Sequence, residues 1–424
     1  MAKYHIEGGT PISGTISASG NKNAALPAIA AVVLTGEPVV LRNIPTIEDV
    51  GVMLEIFKSF GGKVKKLEKN AYALHLKELK TYEVPTDLAT KIRASILFAG
   101  PLLARCGKAV LPPPGGDVIG RRRLDTHFLA LTELGAKIKT EEHFKFEAKQ
   151  IKGCDLFLDE ASVTATENAI MLAVRAKGTT TITNAACEPH VQDLCNLLNS
   201  MGARISGIGS NVLHIEGVTE FKGTDFAIGP DYMEIGSFIG LAVATKGSIS
   251  IENIKPADMR PLVPAFKKLG IKFTISGTTL TVEQGQKLKV NTDFGGMIPK
   301  IDDSPWPGFP ADLTSIMVVV ATQVSGTVLI HEKMFESRMF FVDKLIAMGA
   351  RITLCDPHRA VVSGPCELQG SQLVSPDVRA GMAMIIAASC AKGKSVISNI
   401  YQIDRGYEDL ETRLKSLGVK IEKK

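Results

Sequence analysis

A five-residue signal recurs six times along the chain: an apolar residue, glycine, a small or aliphatic residue, a basic residue and an apolar residue. It reads FGGKV at Phe60, LGAKI at Leu134, MGARI at Met201, LGIKF at Leu269, MGARI at Met348 and LGVKI at Leu417. The glycines stand at 61, 135, 202, 270, 349 and 418, giving spacings of 74, 67, 68, 79 and 69 residues. A long period copied six times fixes the architecture before any reactive residue is considered. At 424 residues the chain exceeds one ordinary core, so two domains of three copies each are expected.

Within copy one, NKNAALPAIAAVVL reads as a buried helix, TGEP as a turn and VVLRNI as a strand. Met53, Ile56, Phe57 and Phe60 then mark one face of a second helix that Gly61 ends. KVKKLE and AYALHL follow as a hairpin, so the unit is helix, strand, helix, strand, strand. The last copy is expected to repeat it, with Tyr407, Leu410, Leu414 and Leu417 as the second-helix stripe. The first-helix segments are apolar nearly all round, which suits helices packed inside with sheets around them. The fold class is therefore α/β. Residues 1 to about 21 have no partner in the repeat scheme and are expected to complete the other domain.

Hydrophobic residues make up 45% and charged residues 22%, as in an ordinary soluble protein. A net charge of +5 is too mild to imply nucleic acid, and no aromatic residues interleave the basic ones to stack bases. Seven scattered cysteines without a CxxC pair argue against a disulfide framework or zinc site, and suit free thiols in a reducing cytosol. MAKYHIEGGT carries no basic leader. The longest apolar stretch, Ala24 to Leu34, contains Pro27 and is too short to span a bilayer, so neither export nor membrane insertion is expected.

Aligned on the glycines, the first-helix starts carry Lys22 and Asn23, Arg93, Thr166 and Glu167, Glu234, Asp312, and Arg379. The second-helix starts carry Asp49, Arg122, His190, Arg260, Arg338 and Arg405. An arginine at a helix N-terminus opposes the dipole, so a set of them points to a multiply charged anion. Copy two departs from the others. Its first helix starts at Lys91, 44 residues before Gly135, against 36 to 39 in the other copies. The excess lies in VLPPPGGDVIGRRRLDTHF, a loop in which Gly115 and Gly116 are expected to permit movement or close approach to a ligand. Asp117 sits at its tip, ahead of Arg121, Arg122 and Arg123.

From end to end the chain resembles the enolpyruvyl transferases, through SGNKNAALPA, KIRASILFAGPLLAR, PGGDVIG, SVTATEN, NAACEPHVQDL, FPADLTS, FESRMF, DVRAGM and YQIDRGYEDLETRL. Asn21 and Asn23 favour the branch acting on UDP-N-acetylglucosamine over the aromatic-biosynthesis branch, which typically has serine there. The resemblance implies a two-domain inside-out α/β barrel with a cleft between domains. Residues 22–231 would form the N-terminal domain, with a mobile loop at 112–123; residues 1–21 plus 232–424 would form the C-terminal one. It further implies transfer of the enolpyruvyl group from phosphoenolpyruvate to the sugar 3-hydroxyl in peptidoglycan synthesis, with no cofactor or metal.

By the same resemblance, phosphoenolpyruvate is held by Lys22, Arg122 and Arg405, with Asn23, Arg338 and Arg379 completing the lining. The UDP-sugar is expected at Arg93, at Arg122, Arg123, Leu124, Asp125 and Thr126, at Ser162, Val163 and Thr164, and at Asp312 and Met334. Asp117 is the candidate acid, Asp312 the candidate base and Lys22 the rival proton donor. Most relatives carry cysteine at the position of Asp117, which the epoxide fosfomycin alkylates, so resistance is expected. Thr164 stands where SVGATEN forms have glycine, and Glu160 where some members have lysine. An enolpyruvyl transferase with another acceptor and a non-catalytic UDP-sugar-binding paralogue remain as alternatives.

Overall fold

The computed structural model describes residues 2–116, 119–120 and 123–424. The chain divides into two compact units. One comprises Gly20–Asp117 and Arg122–Gly229; the other comprises Met1–Ser19, Val118–Arg121 and Pro230–Lys424. Each unit has its own apolar core. In the unit of residues 230–424 the helices Tyr232–Ala244, Thr314–Ala321 and Val378–Cys390 pack against one another. The first two are buried at every residue, as their largely apolar sequences lead one to expect. Helices Lys22–Ala31, Ala99–Cys106 and Val163–Ala173 are the corresponding buried elements of the other unit. In copy two this helix is preceded by a 3₁₀ segment, Arg93–Phe98. No helix among the described residues is long and apolar enough to cross a membrane.

The six signal glycines all have positive φ, from +73° to +106°, and each follows the last turn of a second helix. This is the left-handed position that closes a helix, where a β-carbon costs about 1 kcal/mol. The basic residue that follows starts or adjoins the hairpin.

Among the described residues there are six sheets, one per copy. Copy one shows the plan: central strand Val39–Arg42 pairs antiparallel with Ala71–His75, which pairs with Lys63–Glu68, while Asp225–Ala227 lies parallel on the other edge. In copies three to six the parallel edge strand comes from a preceding segment: Asp155–Phe157 in copy three, Thr15–Ser17 in copy four, Lys300–Asp302 in copy five and Gln372–Val374 in copy six; copy one alone takes its edge strand from later in the chain. In copy two the pairing shrinks to a bridge between Glu83 and Val110.

A second repeat signal, in the residue after the central strand, was not read from the sequence. Asn43, Asn184, Asn253 and Asn399 all adopt φ between +57° and +60°. Each Nδ2 donates to a carbonyl beside the parallel edge strand: Ile228 at 3.0 Å, Leu158 at 2.8 Å, Ala18 at 3.4 Å and Ser375 at 2.8 Å. Asparagine tolerates the left-handed region and its amide pins the adjoining strand. Pro112 and Glu332 occupy the slot in copies two and five.

The last copy differs from its expected unit. It ends with one hairpin strand, Lys420–Lys423, and the missing second strand is Tyr4–Glu7. That strand lies between Lys394–Ser398 and Lys420–Lys423 and is antiparallel to both, with Tyr4 opposite Ile397 and Lys423. Tyr4 and Ile6 point into the core, each 1% exposed.

Candidate active site

In the unit of residues 20–229, Asn21 caps the helix Lys22–Ala31 by accepting a hydrogen bond from the Asn23 N–H at 2.8 Å. The cap leaves Lys22 in the first turn. Its Nζ lies 2.6 Å from Asp49 Oδ2, with both side chains largely buried. Asp49 is in the first turn of helix Glu48–Ser59, where a carboxylate suits the dipole. The two aligned slots of copy one thus meet as an ion pair.

Arg93 Nη2 donates to the Arg123 carbonyl at 2.9 Å, holding the backbone that leads into helix Asp125–Glu133. The Arg123 guanidinium forks onto Asp125 through two bonds of 2.7 Å, an exposed pair worth little to stability. Leu124 is the N-cap, and Thr126 donates to Asp159 at 2.7 Å. Ser162 caps helix Val163–Ala173 with no side-chain bond, so the first-turn N–H groups at Val163 and Thr164 have no side-chain cap from it. A helix start of this kind suits a phosphate oxygen.

Thr164 Oγ1 lies 3.0 Å from His127 Nε2, and His127 Nδ1 lies 3.0 Å from Asn168 Nδ2. The Asn168 amide also donates to the Ile96 carbonyl, and its oxygen accepts from the Gly100 N–H. An amide nitrogen only donates, so Nδ1 accepts and Nε2–H donates to Thr164. Burial, and then the nearby Arg93 charge, push the His127 pKa down to about 3, so the ring is neutral. Thr164 therefore has a built partner. The sequence does not single out His127, because an isolated histidine inside a helix carries no spacing signal. Nearby, Glu167 is buried with one oxygen lacking a hydrogen-bond partner. Burial, then the Glu188 charge, raise its pKa well above the carboxylate range.

In the unit of residues 230–424, Asp312 accepts from Arg338 Nη2 at 2.7 Å on one oxygen and from Arg379 Nε at 3.0 Å on the other. Arg338 and Arg379 are buried while the Asp312 side chain is 23% exposed. Arg379 Nη1 donates to Tyr407 Oη at 3.1 Å, and that oxygen lies 3.0 Å from Ser237 Oγ. Two guanidiniums, each through one charge-assisted bond, thus fix a carboxylate that retains acceptor capacity for a further hydroxyl. Behind Arg338, its Nε and Glu332 Oε2 lie 4.0 Å apart, and neither has a hydrogen-bond partner among the described residues. Met334 is 39% exposed, with its N–H donating to Asp303. Arg405 is buried and donates to Gln402 at 2.8 Å.

Two expectations need correction. Arg260 and Arg405 do not begin helices: they are the C-caps of the short helices Pro256–Met259 and Tyr401–Asp404, where a cation is favoured. Arg338 likewise precedes helix Val342–Ala347 in a turn. The second helices of copies four to six are broken, so the dipole argument fails there; Arg338 is instead buried beside Asp312 and Glu332, Arg405 is buried against Gln402, and Arg260 is exposed. Gly115 and Gly116 serve the protein's own packing. A β-carbon on Gly115 would overlap the Thr90 carbonyl, and one on Gly116 would come within 2.9 Å of Arg93 Cβ. Asp117 and Arg122, assigned above to acid catalysis and substrate binding, lie outside the described residues.

Comparison with known proteins fits this arrangement. The family model EPSP synthase (3-phosphoshikimate 1-carboxyvinyltransferase) matches residues 6–414. The UDP-N-acetylglucosamine 1-carboxyvinyltransferase of Treponema denticola is 70% identical over 424 residues, all of both chains. Those of Treponema pallidum and Bradyrhizobium diazoefficiens are 66% and 53% identical, covering 99% of this chain and 99% and 98% of theirs. Among solved structures, the enolpyruvyl transferase NikO from Streptomyces tendae matches with a TM-score of 0.89 at 22% identity, covering 100% of this chain and 99% of that one. EPSP synthase from Acinetobacter baumannii matches at 0.76 and 17%, covering 100% of both. At such identities these two establish the fold. Matched along nearly its whole length, the chain belongs to the EPSP synthase family of carboxyvinyltransferases and is an enzyme of the transferase class.

Proposed function

We propose that this enzyme transfers the enolpyruvyl group of phosphoenolpyruvate to the 3-hydroxyl of UDP-N-acetylglucosamine, releasing phosphate in the first committed step of peptidoglycan synthesis. The observation that carries the reading is 70% identity over the full length of a relative bearing that activity in its name. The free state of all seven cysteines suits a reducing cytosol.

In the addition step the sugar hydroxyl gives its proton to Asp312 and its oxygen bonds to C2 of phosphoenolpyruvate, while C3 takes a proton and becomes a methyl group. In the elimination step C3 loses a proton, the C2–O bond to phosphate breaks and the double bond returns. Asp117 delivers the C3 proton, with Lys22 as rival donor. Lys22, Asn23, Arg122, Arg338, Arg379 and Arg405 neutralise the phosphate and carboxylate. Arg93, Arg122 to Thr126, Ser162 to Thr164 and Met334 hold the nucleotide sugar. Asp312 suits the base role because its two arginine bonds fix its position and leave lone pairs for the hydroxyl.

Phosphate release from phosphoenolpyruvate is the test, with UDP-N-acetylglucosamine and shikimate 3-phosphate as competing acceptors. Release with the UDP-sugar alone is expected. Release only with shikimate 3-phosphate, or tight UDP-sugar binding without turnover, overturns the assignment.

A further inference from the structure

The connections between copies are eight or nine positions from strand end to strand start, with one exception. The last hairpin strand ends at Glu147 and the next edge strand starts at Asp155; the other pairs are Glu216 and Asp225, Gly364 and Gln372, and Glu7 and Thr15. After copy four, the strand ends at Val282 and the edge strand starts only at Lys300, roughly ten residues later than the plan requires. Single parallel bridges place the addition. Lys152 and Gln369 form theirs just before the edge strand, whereas the equivalent bridge of Lys289 is followed by the extra residues. The inserted segment is 291–298, and all eight of its residues are exposed.

This segment is a fixed turn. Asn291 is tied to the Lys268 and Lys267 carbonyls at 2.8 and 2.5 Å, and Leu329 N–H donates to the Pro299 carbonyl at 3.0 Å. At the tip, the Asp293 N–H donates to the Met297 carbonyl and the Gly296 N–H to the Asp293 carbonyl, both at 3.0 Å. Gly295 and Gly296 take φ of +74° and +79° there. The turn presents Phe294 fully to solvent at 101% exposure, with Met297 at 67% and Ile298 at 58%. Lys267 and Lys268 meet its base through Asn291, and Lys287, Lys289 and Lys300 flank it in sequence. Asp293 is the acid within the turn, and Asp302 is already paired with Lys300 and Lys333.

We infer that this insertion is a docking tip for an anionic lipid surface, with the three apolar side chains entering the headgroup layer and the lysines contacting lipid phosphates. The repeat does not need the insertion, Phe294 buries nothing within its own unit, and Met297 and Ile298 leave most of their surface exposed. Three side chains fall well short of the roughly 800 Å² per partner that a stable protein interface uses. A few inserted apolar groups ringed by lysines suffice for adsorption to anionic lipid. The association is peripheral and leaves the expectation of no spanning segment unchanged.

The test is co-sedimentation of the full chain with vesicles of phosphatidylcholine alone and of equimolar phosphatidylcholine and phosphatidylglycerol. The chain should pellet with the anionic vesicles only, less so as salt rises. A variant carrying Phe294→Ser, Met297→Ser and Ile298→Ser should bind about tenfold more weakly, with unchanged phosphate release in solution. Wild-type protein that stays in the supernatant with both compositions overturns the inference, as does a triple variant that pellets like wild type. A lipid-independent dimer abolished in the triple variant would assign the tip to a second copy and also overturn it.

Discussion

Replacing Glu332 by glutamine should stabilise the protein at neutral pH, by an amount that grows with pH. Glu332 is fully buried in the slot that four other copies fill with asparagine. One oxygen accepts from the Phe335 N–H at 3.2 Å; the other stands 4.0 Å from an Arg338 guanidinium whose bonds go to Asp312. Burial raises its pKa to about 8, Arg338 opposes the rise, and the Asp303 charge adds to it. The folded state therefore keeps a proton that the unfolded chain releases near pH 4.5. The contribution of Glu332 to wild-type stability therefore falls as pH rises from about 4.5 to about 8, by about 1.4 kcal/mol per unit. Glutamine is neutral in both states and keeps the carbonyl acceptor. Relative to wild type it should be near neutral at pH 5 and more stable by about 4 kcal/mol at pH 7.5. The assay is urea unfolding followed by fluorescence of Trp306, the chain's one tryptophan, which packs edge-on against Tyr232 in the same unit. A difference between variant and wild type that stays constant from pH 5 to pH 8, or that favours wild type at pH 7.5, would refute the reasoning.

Asp312→Asn should reduce phosphate release by about 10²- to 10⁴-fold. It should also lower unfolding stability by about 3 kcal/mol, because two buried guanidiniums lose their shared anion; measuring both separates base catalysis from charge pairing. Arg413→Ala should cost about 3–5 kcal/mol. It strands Glu234, 2% exposed, which Arg413 grips through both oxygens at 2.8 Å; Arg413→Lys should not recover the loss, since an ammonium lacks the fork. Wild-type enzyme should survive fosfomycin and Asp117→Cys should become sensitive, read by residual phosphate release and by mass of the adduct. Rapid stoichiometric inactivation of wild type with an adduct on Asp117 would contradict this.

The parts of the fold set by local chemistry were legible in the sequence. The signal glycines need left-handed backbone, and the strands Lys63–Glu68 and Ala71–His75 occupy the segments expected of them. What escaped depends on contacts distant in sequence. Nothing near Tyr4 states that it pairs with Ile397 and Lys423, and nothing near Asp312 states that Arg338 and Arg379 converge on it. The same holds for Lys22 and Asp49, which were aligned as separate slots before they proved to be partners. The asparagine after the central strand was visible in four copies, but its meaning needs the carbonyl it reaches. The 79-residue spacing between Gly270 and Gly349 is the longest of the five and marks the inserted turn.

The position of Tyr4–Glu7 inside the last sheet governs the order in which the chain can be assembled during synthesis. The unit of residues 20–229 has all its strands once Ala227 has left the ribosome. The strand at residues 4–7 gains its last neighbour only when Lys423 is synthesised. At roughly 5–20 residues per second this leaves the N-terminal strand waiting on the order of 20–80 s, with Tyr4 and Ile6 lacking their final cover. Loss of these few residues would open a gap in the middle of a sheet, so a truncation that looks peripheral on the linear map would fall on an interior strand.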